Sequence, residues 1–147
     1  MEKLFKLLSD TQASLLVLFH KTWVYHWNVV GPDFKQYHDL FGEQYESMFE
    51  EIDRLTEHMR FLGMKPVSTL SRVTEVSKVE QASNSSQSID SKTMIEQLMN
   101  DNKTLIEMFN EVSEEAEKQK SKGTINLIDD LNEAHGKHVW MLRSFTD

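Results

Sequence analysis

No cysteine occurs in this 147-residue chain, and only two prolines and five glycines interrupt it. The first absence excludes disulfides, thiolate metal sites and cysteine nucleophiles, and leaves the redox compartment open. The second leaves few places for the chain to break, so it reads as mostly helical. Basic residues are also in short supply. Lys plus Arg number 16 against 24 Asp plus Glu, a formal charge of -8, and they are scattered instead of gathered into an arm or tail. Direct binding to a phosphate backbone draws its affinity from clustered Lys and Arg releasing counterions, so that function loses ground. No apolar run approaches membrane-spanning length, and the opening "MEKLFKLLSD" lacks the apolar stretch and small-residue cleavage site of a secretion signal. The expectation is a soluble cytoplasmic protein with no membrane partner. One domain over residues 1–147 is expected, because this length buries one sizeable core and not two.

What is present is helical periodicity. Leu4, Leu8, Leu15, Leu18 and Phe19 predict a first long helix from Leu4 to about Val29, stopped by Gly31-Pro32. Asp33, followed three residues later by Gln36, predicts a capping box that opens the second helix. Its core stripe reads Tyr37, Phe41, Tyr45, Met48, Ile52, Leu55, Met59 and Leu62, advancing by fours and threes until Gly63 and Pro66 end it. From Met64 to Asp90 the pattern dissolves into a serine-rich stretch that includes "SNSSQS", with room for one short helix in "STLSRVTEV". A third long helix is predicted from Asp90 or Ser91 to about Lys120, a short turn through "KSKG" closing at Gly123, and a fourth from Thr124 to about Phe145.

Two short turns and one long connection decide the topology. The first and second long helices form one hairpin, the third and fourth another, and the middle segment is long enough to run the length of the bundle. That is the ferritin-like form of the four-helix bundle, all-α with a long crossover holding a short helix.

Two histidines flank the Gly-Pro break, His26 about five residues before it and His38 about five after it, so a hairpin brings them to similar height. In "EEIDRLTEHM", Asp53 and Glu57 are four apart and share a helix face. Two imidazoles with two carboxylates and no thiolate suit iron, zinc or manganese. His38 and Asp53, however, are separated by about 22 Å along one helix and cannot hold one ion within one chain. Both lie about 100° off the core stripe, on a flank that also carries Phe49. Antiparallel packing of that flank on its two-fold mate would build two equivalent sites, each from His26 and His38 of one subunit with Asp53 and Glu57 of the next. The same spacing also fits ordinary polar residues near a turn.

The remaining histidines and tryptophans are less informative. His20 and His58 read as structural, with His58 beside Glu57. His135 and His138, three apart on the last helix without an acidic partner in register, read as packing or surface residues. Trp23, Trp27 and Trp140 read as packing residues, with Trp27 also placed to limit solvent access to the site. No Glu-x-x-His occurs in the sequence, which argues against a di-iron centre inside the bundle and favours an interfacial site.

The stretches "HKTWVYHWNVVGPDFKQYHDLF", "EEIDRLTEHMRFLGMKP" and "KHVWMLRSF" closely resemble the Dps family, the miniferritins named as DNA-binding proteins from starved cells, nearly end to end. The resemblance implies a cytoplasmic twelve-subunit cage, a homo-dodecamer, that oxidises Fe(II), preferentially with hydrogen peroxide, and stores the ferric mineral against oxidative damage. It carries the ferroxidase ligands onto His26 and His38 of one subunit and Asp53 and Glu57 of its two-fold mate, with iron as the metal. The alternative it implies is a nucleoid-protecting structural protein that binds DNA weakly, through Mg²⁺, or not at all. Three positions depart from the family pattern. Gly42 stands where many members place an acidic residue one turn after the second histidine, Asn126 stands where a pore Asp is common, and neither terminus is lysine-rich. Asp129, Asp130 and Glu133 lie near Asn126 as other carboxylates for drawing cations.

Overall fold

The computed structural model describes residues 1–83 and 89–146. Five helices account for it: α1 (Glu2–Asn28), α2 (Phe34–Phe61), α3 (Leu70–Val76), α4 (Ser91–Lys118) and α5 (Lys122–Arg143), with no strand among the described residues. The four long helices close into a ring, α1 packing on α2 and α4, and α5 on α4 and α2, while α3 lies along α1. This is the expected ferritin-like bundle with its crossover helix. Among the described residues no helix is long and apolar enough to cross a membrane.

The core runs along the bundle axis. Leu8, Leu15 and Leu18 of α1 meet Met48 and Leu55 of α2, Leu98 and Phe109 of α4, and Ile128 of α5, all fully buried. Side chains of this size contribute about 1.5 to 3 kcal/mol each when removed from water, which supplies most of the bundle's stability.

Local chemistry sets the helix ends. Gly31 takes φ 121°, which a residue with a Cβ rarely adopts, and so turns α1 into α2. The expected capping box does not form: Asp33 is the N-cap residue of α2, but its side chain makes no capping hydrogen bond. The cap of α4 is conventional, with Asp90 Oδ1 accepting from the Thr93 amide at 2.8 Å. The last turn differs from expectation. The left-handed residue is Lys120, at φ 58°, so α5 starts two residues before Thr124 and Gly123 lies within its first turn.

The crossover is tied down near its start. Buried Gln12 of α1 donates from Nε2 to the Val67 carbonyl at 3.1 Å and accepts the Val67 amide on Oε1 at 2.8 Å. Further along, the Lys78 amide donates to Ser14 Oγ at 2.9 Å. Most of "SNSSQS" falls on residues 84–88, outside the described residues.

The core stripe of α2 is rotated from the one its apolar residues suggest. Gln44 and Glu51 are buried on it with Phe41, Met48, Leu55 and Met59, whereas Tyr45 and Ile52 are only half-buried. Two polar side chains therefore sit where an apolar pattern leads one to expect none.

Candidate metal centre

The turn between α1 and α2 places His26 against His38. Their rings stack at 3.7 Å between centroids with 16° between planes. His26 Nδ1 lies 2.6 Å from the His38 carbonyl oxygen, and His38 Nδ1 lies 2.8 Å from the His26 carbonyl oxygen. A carbonyl only accepts, so each Nδ1 carries the hydrogen and donates it. In the neutral rings both Nε2 atoms then keep their lone pairs, and no hydrogen bond among the described residues engages either one. This reciprocal arrangement fixes tautomer and ring orientation together, as a pair of metal-binding imidazoles requires.

Gly42 makes the close packing of His26 achievable. A Cβ at position 42 would lie 3.1 Å from His26 Cε1 and 3.2 Å from Nδ1, tighter than an ordinary contact. In this chain the position holds no carboxylate, and its surface is occupied by the ring of a candidate ligand.

Asp53 and Glu57 are both exposed, four residues apart on α2, and neither makes a described ion pair. α2 is one continuous helix from Phe34 to Phe61, so it holds these carboxylates far from His38. The structure thus brings the two histidines together and keeps the two carboxylates apart from them.

Between these two ends lies an exposed aromatic strip. Trp23 contacts Trp27 at 4.8 Å, Tyr45 at 5.8 Å and Phe19 at 5.7 Å, and Phe19 leads on to Phe49 at 6.1 Å. Phe49 is 64% exposed and Trp27 52% exposed, an apolar surface that a solitary chain would leave in water. Tyr45 touches the His26 ring at 5.2 Å, and Phe49 lies one helical turn before Asp53, so the strip spans from the histidines to the carboxylates. Trp23, Trp27 and Trp140 are surface residues in the protomer and do not fill its core; Trp23 and Trp27 pack within the strip.

His58 keeps a structural role, its Nε2 lying 2.8 Å from Thr124 Oγ1 on α5. Burial, and then the Arg54 charge, lower its pKa. His20 is exposed, with its ring edge-on to Trp27. Asn126 shares a surface cleft with Glu57, Arg54 and His58. Of its acidic neighbours, Asp130 is paired with Arg54 at 2.9 Å and Glu133 with Lys137 at 3.6 Å.

His135 and His138 are the clearest departure from the sequence reading. Both are buried, and the acidic partner missing from their own helix comes from α2, where Glu51 Oε2 lies 3.1 Å from His135 Nε2. Burial, and then neighbouring His135, push the His138 pKa down to about 3, so this imidazole is neutral at ordinary pH. The signal was present in the spacing: Ile128, Leu131, His135, His138 and Leu142 advance by threes and fours as one buried stripe.

Comparison with known proteins gives a consistent picture. The family model described as a ferritin-like domain matches residues 5–147. The chain is 35% identical over 142 residues to the DNA protection during starvation protein of Helicobacter pylori, covering 97% of each. It superposes on the X-ray structure of Dps from Thermosynechococcus elongatus with a TM-score of 0.94 at 30% identity, over 99% of this chain and 91% of that one. The Dps structure from Vibrio cholerae O1, described as a member of a broad superfamily of ferritin-like diiron-carboxylate proteins, matches with a TM-score of 0.93 at 27% identity, over 99% and 90%.

Proposed function

Because the chain belongs to the ferritin-like family, on its Dps branch, with the iron-storage or DNA-protection role of that group, we propose that it is a ferroxidase that stores iron. Its substrates are ferrous ions and hydrogen peroxide, and its working form is a dodecameric cage. Each oxidation site combines His26 and His38 of one subunit with Asp53 and Glu57 of the partner subunit.

The observation that carries this reading is the reciprocal lock between the two imidazoles. Each Nδ1 is committed to the other residue's carbonyl, which leaves two Nε2 lone pairs on stacked rings for ferrous iron. The carboxylates supply charge to hold the ferric product. The exposed aromatic strip gives the reason for a two-fold contact: burying Trp27 and Phe49 against their mates removes apolar surface from water and brings one chain's histidines to the other's carboxylates. In the reaction two ferrous ions each lose one electron, the O–O bond of peroxide takes both, and two protons complete two waters. Removing both electrons in one event avoids release of hydroxyl radical, which is how iron chemistry protects DNA without touching it.

The formal charge of -8, with Lys and Arg scattered along the sequence, does not favour direct DNA contact. Replacing His26→Ala with His38→Ala is expected to abolish rapid Fe(II) oxidation followed by stopped-flow absorbance, while size-exclusion still shows the assembled cage. Unchanged oxidation kinetics in an assembled double variant would overturn the reading.

A further inference from the structure

We propose that Glu51, His135 and His138 hold a single divalent transition-metal ion of the imidazole-preferring class, zinc or ferrous iron, inside the bundle. This site is separate from the oxidation site and shares no residue with it. One ligand atom from each of the three residues falls within a set spanning at most 4.8 Å, and all three residues are buried.

The hydrogen bonding leaves a charge unaccounted for at their centre. Asn102 of α4 donates from Nδ2 to the Leu98 carbonyl at 2.8 Å, so its Oδ1 is the atom left to accept. That oxygen lies 2.8 Å from His135 Nδ1, which therefore carries the hydrogen. In a neutral His135 the lone pair is then on Nε2, yet Nε2 faces the Glu51 Oε2 carboxylate oxygen at 3.1 Å. Two acceptors at that separation require a positive centre between them, either a proton or a cation.

Two further atoms favour the cation. Glu51 Oε1 and His138 Nε2 are both buried and make no hydrogen bond. A proton shared between His135 and Glu51 satisfies neither. A metal ion between the three side chains engages all of them, and the donor set of two imidazoles and one carboxylate is one that zinc and ferrous iron accept in preference to calcium or magnesium. Coordination at about 2.1 Å puts ligand atoms about 3.4 Å apart, so the three tips draw inward from their present spread. With one carboxylate the cluster suits one ion and not a pair.

One of the three residues also borders the surface. A surface cleft of about 190 Å³ between α2 and α5 is lined by Glu50, Glu51, Arg54 and Asp130, and of these Glu51 is the buried one. The exposed Arg54–Asp130 ion pair lies beside it.

The test uses the assembled cage carrying His26→Ala and His38→Ala, so that zinc at the oxidation site does not confuse the count. Metal-free cage is dialysed against Zn(II) and washed, and zinc per subunit is measured by elemental analysis. Crystals of the same cage are then measured at the zinc edge. One retained zinc per subunit is expected, with an anomalous peak between Glu51, His135 and His138. Adding the isosteric Glu51→Gln is expected to weaken retention at least tenfold, and His138→Gln to do the same. Should the His138 variant fail to fold, Glu51→Gln and the anomalous map decide alone. No peak at this position, or retention indifferent to Glu51→Gln, would show that the cluster holds only a proton.

Discussion

Gly42 shows how a single missing side chain can shape a site. Alanine there gains helix propensity of up to about 1 kcal/mol over glycine, but its Cβ meets the His26 ring at 3.1 Å. Gly42→Ala is therefore expected to leave thermal stability unchanged within about 1 kcal/mol while slowing Fe(II) oxidation severalfold, because the His26 Nε2 is displaced. Parallel melting and stopped-flow measurements check it, and an unaltered rate would mean the ring yields without consequence. Tyr25, one residue before His26, behaves differently because it is wholly buried and its hydroxyl donates to Gln97 Oε1. Burial, and then the Asp101 charge, raise its pKa to about 12 from a usual 10. The folded state keeps this proton where the unfolded chain has lost it. The stability is therefore fully present below pH 10 and disappears as pH rises toward 12, an amount of about 3 kcal/mol. Alkaline denaturation of the native protein should show this limb, and Tyr25→Phe should lack it. From the sequence, His26 and His38 were legible as a pair because a turn fixes their height. Their tautomers were not, since those depend on two backbone carbonyls whose positions only the folded turn defines.

Among the helices, the connection that leaves α2 toward α4 is anchored most specifically at its described start. Gln12 satisfies both polar groups of Val67 from a buried position on α1, so Gln12→Ala leaves an amide and a carbonyl without partners. The expected loss is about 2 to 3 kcal/mol, with faster hydrogen exchange at the Val67 amide and little change along α4 and α5. Exchange rates equal to wild type at Val67 would place the anchoring elsewhere. Helix number, order and the crossover were legible because long amphipathic stripes and scarce Gly and Pro leave few alternatives. The rotation of α2 was not. Tyr45 and Ile52 fit an apolar stripe and Gln44 and Glu51 do not, and only the polar partners on α5, the His138 carbonyl for Gln44 and the His135 ring for Glu51, explain why the latter pair is inside. For the same reason His135 and His138 looked unsupported: their carboxylate belongs to a helix distant in sequence, and periodicity on one helix carries no information about what another helix presents to it.

For the whole molecule, the controlling fact is that α2 carries histidine at one end and carboxylates at the other, on one continuous helix too long for the two to meet. Under the proposed two-fold pairing, every oxidation site is shared property, and this has a genetic form. A subunit with His26→Ala and His38→Ala spoils the site that its own turn builds, yet still lends intact Asp53 and Glu57 to its mate. A subunit with Asp53→Asn and Glu57→Gln does the reverse. Cages made wholly of either kind should be inactive, while pairing one of each leaves one site with both lesions and one with none. Random co-assembly in equal amounts should then restore about a quarter of wild-type oxidation, and a mixture as inactive as its parents would refute the shared site. Two defective alleles would thus complement each other within a single cage, and a lineage carrying both copies would keep its ferroxidase.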